Sequence, residues 1–463
     1  AQKSELDFFS LPLSDEVRGP GGEELSIDIV WIGEKKRPKR VLLHFCGTRG
    51  VEGLAGSAIQ LKLAEDPPVL PPGVALLLVH GVNPYGMAMQ RRVNDKNVDL
   101  NKNFLRPDDT YTGVPRAYES MLAYLDPSQA NDNPSAGVSS RSTPARQRSG
   151  TEVYPVPLSP RSPERSSRKK RDSGNERGIN DSGGSDGGRR YSIPSTPPKE
   201  DKAAPVLPAH EEEAFAAQQN SPKMPFLKRL FYYISMTTDD VRDAIAEGQY
   251  EHPHGLAYGG KAMEEPLRLL LKFLDETHVL EADRLAIIDV HTGHGDYKTV
   301  THTCPLPEDS PAFVRTYRAL RKTRSALPGV EGSLVAMTGE TSFEKRGSLV
   351  DGLLARRKKK ASFFYGVAQA FGTFPLVKIF DCMREVNAKV YKESLCGVLP
   401  TPTVSPSDMQ PEDLLHVDVR TKLQKHLVPV QDARWCGFVL RKGLESVCRM
   451  LEVLVEFDNA VQQ

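Results

Sequence analysis

The chain has 463 residues, a formal net charge of +1 and 39% hydrophobic side chains. That length admits one large domain or two to three ordinary ones, and the near-neutral balance gives no global pull toward nucleic acid, membrane surfaces or acidic substrates. No apolar run approaches the roughly 20 residues that a bilayer span needs, so no transmembrane segment is expected. Six cysteines at positions 46, 304, 382, 396, 436 and 448 are scattered, without a Cys-x-x-Cys pair. This predicts reduced thiols in an intracellular, cytoplasmic protein, with neither a disulfide framework nor a zinc knuckle. The chain begins at Ala1 with no secretory apolar region behind it; an organellar destination after removal of a leader stays open.

From Val41 to Phe104, short apolar runs alternate with glycine-rich turns: "VLLHF", "GTRGVEGLAGSAIQ", "GVALLLVHGVNPYG". That is the rhythm of buried strands feeding loops and helices, with a helix over Gly56–Asp66 between two strands. From Pro127 to Pro208 the composition turns to Ser, Pro, Gly and Arg. Such a segment cannot bury enough apolar surface to offset chain entropy, and it is predicted to be a disordered insertion. Ser159, Ser162 and Thr196 precede prolines and Ser192 follows "RRY", patterns of phosphorylation sites, although a plain spacer is the commoner role of such sequence.

Order is expected again from about Glu211. "EEEAFAAQQN" and "TTDDVRDAIAEGQY" read as helices, the second with Thr237 or Thr238 as N-cap. Gly260–His278 is amphipathic, with Pro266 marking its start or a kink. "RLAIIDVHTGHGDYKTV" reads as a buried strand opening into a glycine loop, and Leu334–Glu344 as a further strand and turn. "ASFFYGVAQAFGTFP" leads into a helix over Leu376–Tyr391, and a long helix closes the chain. Central strands followed by helices imply an α/β domain with a mixed sheet covered on both faces. Its two halves, 1–126 and 209–463, flank the insertion at 127–208.

Four stretches in order, "GTRGVEGLAGSAIQ", "NPYGMAMQRRVNDKNVDLNKNFLRP", "DVHTGHGDY" and "QAFGTFP", resemble the zinc metallocarboxypeptidase superfamily with its carboxypeptidase A-like fold. They most resemble a poorly characterised intracellular branch of it. The resemblance implies a mixed, eight-stranded twisted sheet with helices on both faces, of phosphorylase/hydrolase-like architecture. It also implies a site in which His-x-x-Glu and a later His bind Zn²⁺, leaving a place for water. A glutamate then acts as general base, an arginine steadies the oxyanion, and an Asn-Arg pair grips a terminal carboxylate.

Carried over singly, Glu52 and His291 match zinc-ligand positions, and Arg49 stands where the first histidine belongs. Arg92, with Arg91 beside it, matches the oxyanion arginine. Asn101 matches the asparagine of the carboxylate grip, but Lys102 follows it in place of arginine. The general-base position falls on Ala370. Arginine has no lone pair to give a metal, and alanine has no proton to move. Loss of a general base alone costs about 10²–10⁴ in rate. Lys102 keeps its charge but loses the planar fork.

As structural residues, Glu52 and His291 would be pocket groups satisfied by hydrogen bonds, and this outweighs retained metal contact. His44 and His80 read as core or strand-edge histidines before substitute ligands. His294 and His302 follow His291 in a glycine loop without ligand-pair spacing, and Glu340 and Glu344 are candidates only for a relocated base. The run "ARRKKK" at Ala355–Lys360 reads as a solvated loop before an anionic contact, as does "RSSRKKR" at Arg165–Arg171. The expectation is a catalytically inactive, carboxypeptidase-like pseudoenzyme that binds a protein partner or acts as a scaffold, with no cofactor and with an anionic group as the ligand its pocket suits. The alternative is a zinc-dependent metallocarboxypeptidase or amidohydrolase with a substituted ligand set. Without zinc, Glu52 would be a costly buried carboxylate. Arg49 is therefore expected to pair with Glu52 or another acid of the pocket, its guanidinium in the metal's space.

Overall fold

The computed structural model describes residues 6–129, 245–293, 295–307, 310, 313, 334–336, 346–358, 363–395 and 420–456. The phosphorylation-site patterns, the first helix expected from Glu211, residues 237–244 of the second, His294, Glu340, Glu344 and most of the 127–208 segment lie outside these residues, while 245–247 of the second are helical as expected. At the start of the 127–208 segment, Pro127–Gln129 forms one 3-10 turn.

Eight strands make one sheet in the order β1-β2-β4-β3-β5-β8-β6-β7. They are β1 (Leu6–Pro12), β2 (Ser26–Gly33), β3 (Arg40–Cys46), β4 (Val74–His80), β5 (Arg284–Thr292), β6 (Val300–Cys304), β7 (Leu334–Ala336) and β8 (Phe363–Phe371). Strands from before and after the polar segment thus pair in a single sheet. The central four, β4, β3, β5 and β8, run parallel, while β1 and β2 join antiparallel on one side and β6 runs antiparallel to β8 on the other. The fold is the mixed α/β type expected.

The central strands read as near-continuous apolar runs because both of their faces are buried. Alternate residues divide between two cores, since side chains in a strand point to opposite faces. Leu42, Leu76, Leu78, Ala286 and Ile288 enter one core, together with residues of α1 (Gly53–Glu65), α4 (Leu376–Leu395) and α5 (Ala433–Glu456). Val41, Leu43, Leu77, Leu285 and Ile287 enter the other, together with α2 (Glu265–Glu276) and α3 (Leu349–Arg356).

Pro266 sits in the first turn of α2. There its missing N–H costs nothing, so it starts the helix and does not kink it. Leu267, Leu270 and Leu274 form the buried stripe of α2, each contributing about 1.5–3 kcal/mol on burial. α1 approaches the sheet closely: a Cβ on Gly56 would stand 2.4 Å from Cys46 Cβ.

Two arginines of the "ARRKKK" run pack on aromatic rings, which differs from a wholly solvated loop, while Lys358 stays exposed in a surface ion pair. Arg356 lies 4.4 Å over the Phe104 ring and Arg357 5.5 Å over Phe364. Lys358 Nζ reaches Asp275 at 3.1 Å. Lys359 and Lys360 lie outside the described residues.

His44 is fully buried under α1, its Nδ1 3.2 Å from Gln60 Nε2, which also donates to the carbonyls of His44 and Val79. Burial lowers its pKa to about 4. Because the unfolded chain takes up this proton near pH 6.5, the stability contributed by neutral His44 is complete above that pH and is lost as pH falls toward 4. The variant His44→Leu should therefore lose about 1–2 kcal/mol less than the parent between pH 7 and pH 5. Urea unfolding at the two pH values measures this; equal losses would contradict the assignment.

Candidate functional site

Parallel pairing aligns the carboxyl ends of β3, β5 and β8, and four of the matched positions, Glu52, Arg92, His291 and Ala370, gather there. β3 runs out at Cys46 into a turn that ends in a 3-10 helix, Gly50–Glu52. Gly50 has φ +50, and a Cβ there would lie 2.1 Å from the Arg91 carbonyl oxygen. Only glycine fits both conditions. The Val51 amide donates to that same carbonyl at 2.9 Å, fixing the turn against the loop that carries Arg91 and Arg92.

Glu52 is 1% exposed. Its Oε1 accepts from Arg92 Nε at 2.8 Å. Its Oε2 accepts from the Thr292 amide at 3.2 Å and lies 3.4 Å from His291 Nδ1. His291 Nε2 is 2.9 Å from Asp289 Oδ2, and Asp289 Oδ1 accepts from the Thr48 hydroxyl at 2.8 Å. Burial alone would raise the Glu52 pKa, but the charge of Arg92, the bond from His291 and the charge of Arg49 outweigh it and hold the carboxyl well below its usual range.

Arg49 Nε lies 3.8 Å from Asp99 Oδ2, both side chains almost wholly buried. Arginine at 49 thus meets an acid of the pocket as expected, but that acid is Asp99, and Glu52 takes Arg92 as its close partner. Arg91 Nη2 lies 3.4 Å from Asn97 Oδ1 and its guanidinium 5.8 Å from the Tyr85 ring centre. Burial lowers its pKa.

Ala370 pairs directly with His291 across the β5/β8 ladder. Register-paired residues share a sheet face, so the methyl group stands beside the imidazole on the site's side of the sheet. Asn101 and Lys102 are buried and engaged in the scaffold. Asn101 Oδ1 accepts from the Leu349 amide at 3.1 Å, capping α3, and Lys102 Nζ donates to the Ala246 carbonyl. His80 Nε2 meets Ser57 Oγ at 3.0 Å and His302 Nε2 meets Ser446 Oγ at 3.4 Å. Neither of these contacts, nor that of His44 with Gln60, involves the Glu52 group.

Sequence reasoning passed over Asp289, Thr48 and Asp99. The signal for Asp289 was present, since a residue two before His291 in a strand shares its face.

A catalytic zinc takes three protein donors and an open position. Here two matched donors meet, the third position is a guanidinium without a lone pair, and Arg92 engages one oxygen of Glu52. Among the described residues no group of three or more His, Cys, Asp or Glu side chains is placed to hold a metal ion. The residues present do not fit a three-donor zinc site. A cleft of about 590 Å³ lies elsewhere, lined by Arg106, Asp109, Glu247, Arg346 and Asp351 among others, and none of the Glu52 group lines it.

Strand order and the helices on both faces define an α/β domain with a mixed sheet and a polar cluster at its carboxyl edge. The chain belongs to the DUF2817 family, described as proteins of unknown function, whose model matches residues 1–159 and 203–397. No curated protein matches it. Solved structures similar to it include a succinylglutamate desuccinylase from Silicibacter sp., 12% identical, covering 88% of this chain and 70% of that one at a TM-score of 0.32. Carboxypeptidase A from Helicoverpa armigera is 8% identical over 87% and 69% of the two chains, at 0.33. Thrombin activatable fibrinolysis inhibitor is 10% identical over 91% and 70%, at 0.32. Overlaps of this size carry no chemistry across to the present chain.

The tightness of the turn is open to test. Gly50→Ala must strain the backbone and displace the Arg91 carbonyl, and should cost about 2–4 kcal/mol in chemical unfolding. Unchanged stability would show that the turn and the Arg91 loop do not meet as described.

Proposed function

We propose that this chain is a carboxypeptidase-like domain that no longer performs zinc hydrolysis and serves as a binding or scaffold protein. The observation that carries this is the state of Glu52: one oxygen faces Arg92, the other faces the Thr292 amide and His291, and the carboxylate is 1% exposed. A ligand to a catalytic metal needs an oxygen directed at the ion, and the metal needs space for water. Ala370 adds independent support, because the side chain beside His291 has no ionisable group.

The placement of Asn101 and Lys102 bears on the ligand. Both side chains bond to the scaffold, so neither supports a carboxylate grip inside this pocket. The binding role is proposed for a protein partner.

The alternative is a zinc-dependent metallocarboxypeptidase or amidohydrolase with a substituted ligand set. It draws on the 3.4 Å approach of His291 Nδ1 to Glu52 and on Asp289 behind the other ring nitrogen, the kind of carboxylate–histidine support that metal ligands receive.

Elemental analysis of the purified full chain, with turnover assays on peptides and N-acyl amino acids, separates the two readings. The proposal expects well under one zinc per chain and no turnover. About one zinc per chain, lost in Glu52→Ala and accompanied by hydrolysis, would overturn it.

A further inference from the structure

We infer that the buried Arg92–Glu52 pair does in this chain the tying that a bound metal ion does in a metalloprotein, joining the loops at the carboxyl edge of the sheet from within the chain itself. The inference rests on the reading that the site carries no zinc.

Four segments meet at this pair. Glu52 ends the turn after β3 and Arg92 belongs to the loop after the short helix Pro84–Ala88. Thr292 and His291 end β5, and both approach Glu52 Oε2. Arg92 Nη1 also reaches Met383 Sδ on α4 at 3.4 Å. The side chain of Arg92 is 12% exposed and that of Glu52 is 1% exposed. A second guanidinium repeats the device nearby, with Arg49 from the same turn approaching Asp99.

A metal tie stabilises a fold only while the ion is bound, so its contribution follows the free-metal concentration. A guanidinium tie is always present. Its partners are interdependent, because removing one leaves a buried charge, whereas removing both leaves none. Arginine suits the task because it stays charged and offers several donors in one plane.

Thermal unfolding of the full chain tests this with EDTA, with added zinc chloride, and in Arg92→Met, Glu52→Gln and the double variant Arg92→Met/Glu52→Gln. The expected result is a parent midpoint unmoved by either addition. Each single variant should lose roughly 5–10 °C, and the double variant should lose clearly less than the two losses together. A midpoint lowered by EDTA and restored by zinc would overturn both this inference and the proposed function. A metal-indifferent midpoint with additive or negligible losses would overturn the inference alone. If Arg92→Met does not fold, Arg92→Lys replaces it in both the single and the double variant. It should show an intermediate loss that Glu52→Gln no longer enlarges by its full amount, and a parent-like midpoint would contradict the tie.

Discussion

The carboxylate of Glu52 sits where water cannot reach it, and a buried charge of that kind must be met by cations and donors or the local fold fails. Its partners come from sequence-distant segments: Arg92, forty residues away, and the Thr292 amide with His291 at the end of β5. Much else at this end of the sheet follows from bringing them together. Gly50 lets the turn pass under the Arg91 carbonyl, which in turn sets Arg92 against Glu52. Asp289 holds the far side of His291 and takes the Thr48 hydroxyl. Three carboxylates, two guanidinium groups and one imidazole are thereby packed into a nearly solvent-free volume, arranged so that each acid lies next to a cation, an imidazole or an N–H or O–H donor.

Under the proposed function, such a cluster differs from an active site in what its groups are available to do. Hydrolysis needs a polarising centre, a base and room for water and substrate. Here the acids are committed to donors within the chain, and the position beside His291 is a methyl group. Asn101 and Lys102, the positions matched to a carboxylate grip, serve the backbone, Asn101 by capping α3 and Lys102 by bonding the Ala246 carbonyl. The same economy appears in the basic run, whose arginines lie over Phe104 and Phe364.

The sequence was legible where periodicity or a fixed motif dominated. The apolar runs of β3, β4 and β5, the stripe of α2 and the terminal helix follow from burial patterns, and Pro266 marked a helix start. The antiparallel strands β1 and β2 were not read, because polar residues such as Asp7 and Asp28 interrupt them and their pairing is set by tertiary contact. Motif positions brought Glu52, His291, Arg92 and Ala370 to one place. Which acid each arginine meets was not legible. That choice depends on how the turn after β3 faces the 91–92 loop and Asp99, the N-cap of the short helix Leu100–Asn103, a matter of three-dimensional placement that no local pattern encodes.

The central claim is that guanidinium groups, and no metal, balance this site. A crystal of the full chain soaked in zinc, with anomalous diffraction recorded at the zinc edge, tests it directly. The account predicts no anomalous peak between Glu52 and His291, and density for the Arg92 guanidinium within hydrogen-bond distance of Glu52. An ordered peak bonded to both residues, with Arg92 turned away, would contradict it.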